Sequence, residues 1–338
     1  MIDFMQLAIN EALKGAPYVS PNPKVGCVVL DANGKLISTG YHTRYGQPHA
    51  EVEAIKKLSS EQLRGAHVIV TLEPCAHEGK TPSCAKMLST LPIKKVTFGL
   101  VDPNPLVAGQ GAEILRAAGI EVEEYQGPLK EKLEETCEEF LWNFRQKKVF
   151  VALKVAQSLD GKIALTNGQS KWITGDESRI KAHELRAQYD ATLVGKNTVL
   201  VDDPGLDIRH LAIKKENKIV ILDHSGEVLS KKNQLKLFKI HGPENIFILN
   251  SKTLEEALSE LYEKGIRSVM VEGGGRVIAS FLKQKLAQRL HLFTAPVILG
   301  KGIGWSDSFE LQDMEKKLQL KNVRTESFGQ DQYLTGKF

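Results

Sequence analysis

Short apolar runs alternate with helix-patterned segments twice over, on either side of a charged amphipathic stretch at 128–147, and this rhythm restricts the chain to two sheet-and-helix domains in series. Before that stretch, helical spacing at 4–14 (Phe4, Leu7, Ala8, Ala12) is followed by strands at 25–30 and 35–39, joined by the hairpin signal Asp31-Ala-Asn-Gly34. A helix at about 49–58, a strand at 68–72, a helix from Cys84, and strands at 95–99 and 120–125 flanking a helix at 110–118 complete this half. The stretch at 128–147 reads as a single helix presenting Leu129, Leu133, Cys137, Phe140, Leu141 and Phe144. A fresh β-rich segment starts beyond it, so the boundary falls between domains 1–147 and 148–338. In the second half, strands are expected at 149–156, 191–195, 218–223, 246–249, 268–272 and 289–295, and helices at 177–188, 253–264 and 276–285, with β-structure at the end. A chain of 338 residues exceeds what one core usually serves.

The net charge of +4 is spread along the chain as scattered lysines, which suits a solvated surface better than the concentrated footprint of a nucleic-acid binder. No run approaches the roughly 18 apolar residues of a membrane span. The amino-terminal Met1-Ile2-Asp3-Phe4 lacks the basic and apolar regions of a secretory signal, so a cytoplasmic protein without membrane or nucleic-acid partners is expected. Four cysteines in so long a chain do not form a disulfide framework. Cys27 and Cys137 lie in apolar or amphipathic runs and read as buried thiols, which leaves Cys75 and Cys84 requiring a chemical role.

That role is metal binding. In Pro48-His-Ala-Glu51 the proline suits the start of a helix, placing His49 and Glu51 in its first turn. In Pro74-Cys75 through Pro82-Ser-Cys84 the chain leaves a strand, loops, and enters a helix capped by Ser83. Helix starts favour negative charge and so help hold a thiolate. One imidazole and two thiolates make three zinc ligands with a fourth position open to water, the arrangement of a catalytic rather than a structural site. Zinc lowers the pKa of water from 15.7 towards about 7, and Glu51, not a ligand, is placed to take and return the proton. His-x-Glu followed by Pro-Cys and a second cysteine is the signature of zinc nucleobase deaminases. Here eight residues separate Cys75 from Cys84 rather than two, a loop that Gly79 and Pro82 allow to fold back. His77 is the only nearby alternative ligand and reads as a loop or substrate residue. The long gap and the large second domain argue against a nucleic-acid deaminase, and a non-catalytic zinc module would need a fourth protein ligand.

In the second half the residues alone say less. Glu272-Gly-Gly-Gly275 follows an apolar strand and precedes a helix, which serves equally as a tight turn or as a phosphate-holding loop, and it is not the dinucleotide fingerprint G-x-G-x-x-G. Trp172 suits core packing and Arg186 a solvated helix face.

Several strings together resemble the bifunctional riboflavin-biosynthesis deaminase/reductase family. They are Ser20-Pro-Asn-Pro-Lys-Val-Gly-Cys-Val28, Gly40-Tyr-His42, the metal-site strings, Asp102-Pro-Asn-Pro105, Ser158-Leu-Asp-Gly-Lys162, Ser170-Lys-Trp-Ile-Thr174, Leu185-Arg-Ala187, Val201-Asp-Asp-Pro204 and Val271-Glu-Gly-Gly274. The chain departs from the family at Ser83, where a second proline is usual, and at Lys301, where a second glycine is usual. The resemblance implies an amino-terminal cytidine-deaminase-like α/β/α domain and a carboxy-terminal α/β domain like dihydrofolate reductase. It implies deamination and then NADPH-dependent reduction of a phosphoribosylated pyrimidine, in a homo-oligomer that holds Zn2+. By the same resemblance Asn22, His42, His77, Lys80, Asp102 and Asn104 contact the pyrimidine substrate. Ala156, Trp172, Thr198, Asp202, Gly274, Gly275, Arg276, Val277, Ile278, Ala279 and Ser280 contact NADPH. Ser170, Arg186, Leu206, Arg209 and Glu272 contact the substrate of the reduction. Arg186 and Arg209 suit its phosphate, because guanidinium forks bind phosphate bidentately.

Overall fold

The computed structural model describes residues 3–77, 82–104, 108–213 and 215–338. Contacts divide the chain into two compact units, Met1–Lys147 and Lys148–Phe338.

The first unit is a five-stranded sheet in the order β2-β1-β3-β4-β5, with β1 (Gly26–Leu30), β2 (Leu36–Tyr41), β3 (His67–Leu72), β4 (Lys95–Leu100) and β5 (Glu121–Glu124). β1 runs antiparallel to both neighbours, whereas β3, β4 and β5 are parallel. Every residue of β1 is buried, as a continuous apolar strand covered on both faces requires. Helices α1 (Phe4–Leu13), α2 (Ala50–Ile55), α3 (Cys84–Ser89) and α4 (Gln110–Ala117) supply the cover, and they split the core into two clusters around the sheet. Close approach decides where α2 sits. A Cβ on Gly40 of β2 would meet Ala54 N at 2.4 Å and Ala50 O at 2.6 Å, so the helix lies against bare backbone there. The stretch expected as one helix at 128–147 is two, α5 (Lys130–Thr136) and α6 (Glu138–Gln146). Cys137 breaks it with φ −116° and ψ 19°, outside helical values, and its thiol donates to the Lys24 carbonyl at 3.2 Å.

The second unit is an eight-stranded sheet in the order β10-β9-β8-β11-β6-β12-β15-β14. Its strands are β6 (Phe150–Ser158), β8 (Ala191–Gly195), β9 (Lys218–Leu222), β10 (Ile246–Leu249), β11 (Ser268–Val271), β12 (Arg289–Ala295), β14 (Lys321–Phe328) and β15 (Asp331–Lys337). Six of these are parallel and β15 and β14 close one edge antiparallel. A separate hairpin-like pair joins β7 (Lys162–Leu165) to β13 (Gly302–Gly304). Helices α7 (Asp176–Gln188), α8 (Lys196–Asp202), α9 (Glu227–Ser230), α10 (Leu237–Ile240), α11 (Leu254–Glu263) and α12 (Gly275–Lys283) complete the unit. The central strands pack Val151, Leu153, Leu193, Val269 and Val271 into one core with Ile278 and Phe281 of α12. In parallel sheets of this kind ligands sit beyond the carboxyl ends of the strands.

Several buried polar groups interrupt this apolar interior, one of them in β12. His291 of β12 lies between two phenols, with Nε2 2.7 Å from Tyr189 Oη and Nδ1 2.7 Å from Tyr333 Oη. A neutral imidazole satisfies both, accepting from one hydroxyl and donating to the other. Burial, reinforced by the charges of Arg289 and Lys181, pushes its pKa down from 6.5 to about 3. Below pH 6.5 the unfolded chain takes up a proton that the folded chain refuses, so this group makes stability fall as pH drops from 6.5 towards about 3. Thermal unfolding at pH 7 and pH 4.5 checks this: the acid loss is expected to be smaller in His291→Asn than in the parent.

Candidate functional site

In the first unit the exit of β3 and the start of α3 are knitted together. The Ala85 amide donates to the Cys75 carbonyl at 3.1 Å, the Ser83 hydroxyl donates to the same carbonyl at 2.8 Å, and the Cys84 amide donates to Cys75 Sγ at 3.3 Å. Ser83 also caps α3, accepting from the Lys86 amide at 3.2 Å, so a serine in place of the usual proline keeps the helix start in position. His49 is itself the N-cap of α2, one position earlier than the spacing suggests, and Glu51 lies in the first turn. His49 Nδ1 stands 3.5 Å from Cys75 Sγ and 3.4 Å from Cys84 Sγ, and the three ligand atoms all lie within 4.8 Å of one another. Zn–N and Zn–S bonds of about 2.0 and 2.3 Å in a tetrahedron put nitrogen and sulfur about 3.5 Å apart, so the three side chains fit that ion. The hydrogen bond with Cys84 and the one with His49 outweigh burial and hold Cys75 down at about 4, while the same bond and burial push Cys84 up.

Glu51 is 3% exposed and lies against the Cys84 thiol, and burial raises its pKa despite the opposing charge of His49. His42 is buried beside this cluster. Its Nδ1 donates to the Pro48 carbonyl at 3.0 Å and its Nε2 accepts from Asn22 Nδ2 at 3.1 Å, so both ring nitrogens are engaged. The ring, edge-on to His49 at 5.4 Å, thereby orients Asn22 and the turn before His49. Burial lifts the Asp102 carboxyl to about 6, helped by the nearby charges of Glu73 and Cys75, although the Asn104 amide donates to it at 2.8 Å. His77 is exposed and adds its charge to the surroundings of Asp102. Lys80 lies outside the described residues.

Glu73 escaped the sequence reading. Its carboxylate accepts from the backbone amides of Gly109 at 3.0 Å, Ala112 at 3.2 Å and Asp102 at 3.4 Å, tying the strand that carries Cys75 to the loop that carries Asp102 and Asn104. The available signal was a lone acid directly before Pro74-Cys75.

In the second unit a cavity of about 1770 Å3 opens at the carboxyl ends of β8, β9 and β11. Ala156, Trp172, Thr198 and Asp202 line it, as do Gly274 to Ile278 and Ser280. Ser170, Arg186, Leu206, Arg209 and Glu272 line it too. Ala279 does not: it is 1% exposed. A Cβ on Gly274 would meet only Thr198 Oγ1, at 3.9 Å, so the space over this strand-to-helix turn is open to a ligand, and no side chain caps the start of α12. Those features suit a dinucleotide pyrophosphate. Trp172 is 69% exposed rather than core, with the Arg179 guanidinium 4.6 Å from its ring centre.

Arg186 is buried, not solvated, and its fork meets Glu272 rather than open space. Nε donates to Oε1 at 2.8 Å and Nη2 to Oε2 at 3.0 Å, while Nη1 reaches the Asp207 carbonyl at 2.5 Å and His183 Nδ1 at 3.2 Å. A bidentate phosphate contact would have to displace Glu272, so that expectation passes to Arg209, which is more exposed. Burial alone would raise the Glu272 pKa, but the charges of Arg186 and Lys154, the latter 3.2 Å away, hold it down at about 2. Lys154, a single charge in the apolar run of β6, is a second residue the sequence reading passed over.

Comparison with known proteins agrees with both halves. Residues 1–100 match the model of the cytidine and deoxycytidylate deaminase zinc-binding region, and residues 149–334 that of the RibD C-terminal domain. The riboflavin biosynthesis protein RibD of Aquifex aeolicus is 40% identical, over 97% of this chain and 96% of its own. The chain belongs to the RibD family. The solved structure of a diaminohydroxyphosphoribosylaminopyrimidine deaminase/5-amino-6-(5-phosphoribosylamino)uracil reductase from Thermotoga maritima shares 40% identity and a TM-score of 0.89, covering 99% of this chain and 97% of that one. RibD of Acinetobacter baumannii superposes with a TM-score of 0.87 at 33% identity, covering 99% and 98%. This RibD-family chain thus carries a zinc-binding deaminase domain and a reductase domain, with the fold class expected of each. Among the described residues no helix is long and apolar enough to cross a membrane.

The Arg186–Glu272 pair makes a stability prediction. Arg186→Leu leaves a buried carboxylate with Lys154 as its remaining cation, and urea unfolding is expected to show a loss of about 3 kcal/mol. Arg186→Leu combined with Glu272→Leu is expected to lose less than the two single variants added together; strict additivity would show that the two side chains are uncoupled.

Proposed function

We propose that this chain carries out two consecutive steps of riboflavin biosynthesis. The first is hydrolytic deamination of 2,5-diamino-6-(5-phosphoribosylamino)pyrimidin-4(3H)-one to 5-amino-6-(5-phosphoribosylamino)uracil. The second is NADPH-dependent reduction of the ribosyl group to a ribityl chain. The observation that carries the reading is the convergence of His49, Cys75 and Cys84 beside buried Glu51. The deaminase/reductase of Thermotoga maritima, similar over nearly the whole length, supports it.

His49, Cys75 and Cys84 would hold zinc, which supplies an acidified water as nucleophile at neutral pH. Glu51 would take one proton from the attacking water and give it to the ring nitrogen, and then carry the second, from the new carbon-bound hydroxyl, to the amino group, so that the C–N bond breaks and ammonia leaves as the carbonyl forms. Its burial-raised pKa suits a group that must both accept and give a proton near neutrality. Asn22, His42, His77, Lys80, Asp102 and Asn104 contact the pyrimidine and its phosphoribosyl arm, with His42 also holding Asn22.

In the second unit the turn from Gly274 into α12, with Ala156, Trp172, Thr198 and Asp202, would seat NADPH, which supplies the hydride when bound. Ser170 and Leu206 contact the substrate, Arg209 suits its phosphate, and Arg186 fixes the Glu272 carboxylate that faces the substrate. The reading includes a cytoplasmic homo-oligomer acting on a small phosphorylated molecule.

Ammonia release and NADPH absorbance, followed separately with zinc-loaded protein and the diaminopyrimidine ribosyl phosphate, test both steps. Glu51→Gln is expected to abolish ammonia release while zinc content stays at the parent level and the deaminated intermediate is still reduced. Deamination at the parent rate in that variant removes Glu51 from the chemistry.

A further inference from the structure

The segment 203–210, which follows α8, brings Leu206, Arg209 and His210 to the wall of the second unit's cavity. Its backbone is costly to hold. Asp203, Leu206 and His210 have φ of 41°, 53° and 63°, left-handed values that residues other than glycine seldom adopt. A chain bent in this way keeps its shape where its surroundings fix it. Polar side chains do so here along the whole segment. His241 Nε2 donates to the Gly205 carbonyl at 2.7 Å, Asn217 Nδ2 to the Leu206 carbonyl at 2.8 Å, and Arg186 Nη1 to the Asp207 carbonyl at 2.5 Å.

The tether on Arg209 itself is His183, which lies one helical turn before Arg186 on α7 and also lines the cavity. Its Nδ1 accepts from the Arg209 backbone amide at 3.3 Å and from Arg186 Nη1 at 3.2 Å. An amide and a guanidinium only donate, so Nδ1 is bare and the ring proton sits on Nε2. Burial, and then the charge of Arg186, lowers the pKa of this imidazole to about 4, which keeps the acceptor in place through the neutral range. The Arg209 guanidinium is more exposed, with Asp207 Oδ1 3.4 Å from its Nε, so the backbone anchor decides where it stands.

We propose that His183 is a positioning residue for the reduction: by accepting from Arg186 and from the Arg209 amide together, it sets Arg209 where the substrate phosphate arrives. The assignment rests on the reading that Arg209 takes that phosphate. The imidazole acts through Arg209 and not on the reacting atoms, so it governs how tightly the substrate is held and leaves the hydride step alone. One ring nitrogen thereby links the arginine spent on Glu272 to the arginine kept for the ligand.

Reductase kinetics of the full chain with 5-amino-6-(5-phosphoribosylamino)uracil, and with the same compound lacking its phosphate, test this. His183→Leu keeps bulk and removes the acceptor. It is expected to raise the KM for the phosphorylated substrate about tenfold, the scale of one hydrogen bond, with kcat and the KM for NADPH within about twofold of the parent. The kcat/KM for the unphosphorylated compound is expected to stay at the parent value. His183→Asn, whose Oδ1 stands near the place of Nδ1, is expected to recover most of the loss. If His183→Leu does not fold, His183→Gln, which carries its acceptor out to the position of Nε2, takes its place with the same expectation. Arg209→Ala is expected to raise the same KM, and adding His183→Leu to it is expected to raise it no further. An unchanged KM in Arg209→Ala overturns the phosphate reading and this assignment with it. A raised KM in Arg209→Ala beside an unchanged one in His183→Leu overturns the positioning role alone, and so does an equal loss with the two substrates in His183→Leu.

Discussion

The first unit depends on the seam between the end of β3 and the first turn of α3. Two contacts to the Cys75 carbonyl and one to its sulfur close a loop that spans eight residues, so two cysteines far apart by the usual motif stand side by side in space. Everything proposed for the deaminase step follows from that closure. His49 approaches from a different helix, and Glu51 is carried into place by the same first turn. The thiol pair shows how sensitive such a cluster is to its surroundings, since Cys75 is pulled down and Cys84 pushed up by the same hydrogen bond. A divalent ion removes that asymmetry by favouring both thiolates at once.

The second unit solves a different problem, that of keeping charge inside a large cavity. Lys154, Glu272 and Arg186 come from a strand, a strand end and a helix, and each neutralises part of what the others cost in desolvation. Their cluster presents one carboxylate, fixed in direction by two cations, to the place where the substrate is expected. Burial would otherwise protonate Glu272; the paired cations keep it ionised across the whole working range.

Legibility from sequence tracked how local each signal is. The metal ligands were readable because imidazole and thiolate are chemically distinctive and each lies at a helix start marked by Pro48 or by Pro82-Ser83. Strands such as 191–195 and 268–272 were readable because a buried parallel strand is a largely apolar run. The contacts of Glu73 and Lys154 were not. Lys154 meets Glu272 across 118 positions and Glu73 meets Ala112 across 39, and no local pattern announces either pairing. The break at Cys137 was hidden for the opposite reason, because apolar spacing continues through it while the backbone does not. Arg186 was recognised as important from its surrounding string, yet its partner could be named only in three dimensions.

Gly40 carries no functional group, yet it sets a dimension of the metal site. With backbone of α2 only 2.4 Å from where a methyl carbon would stand, the helix that begins after His49 is spaced from the sheet by the absence of that atom. An alanine at this position would act as a shim, lifting the imidazole away from two sulfurs whose own spacing is determined elsewhere. Metal affinity in this fold is therefore adjustable from the opposite side of a helix, at a residue that never touches the ion.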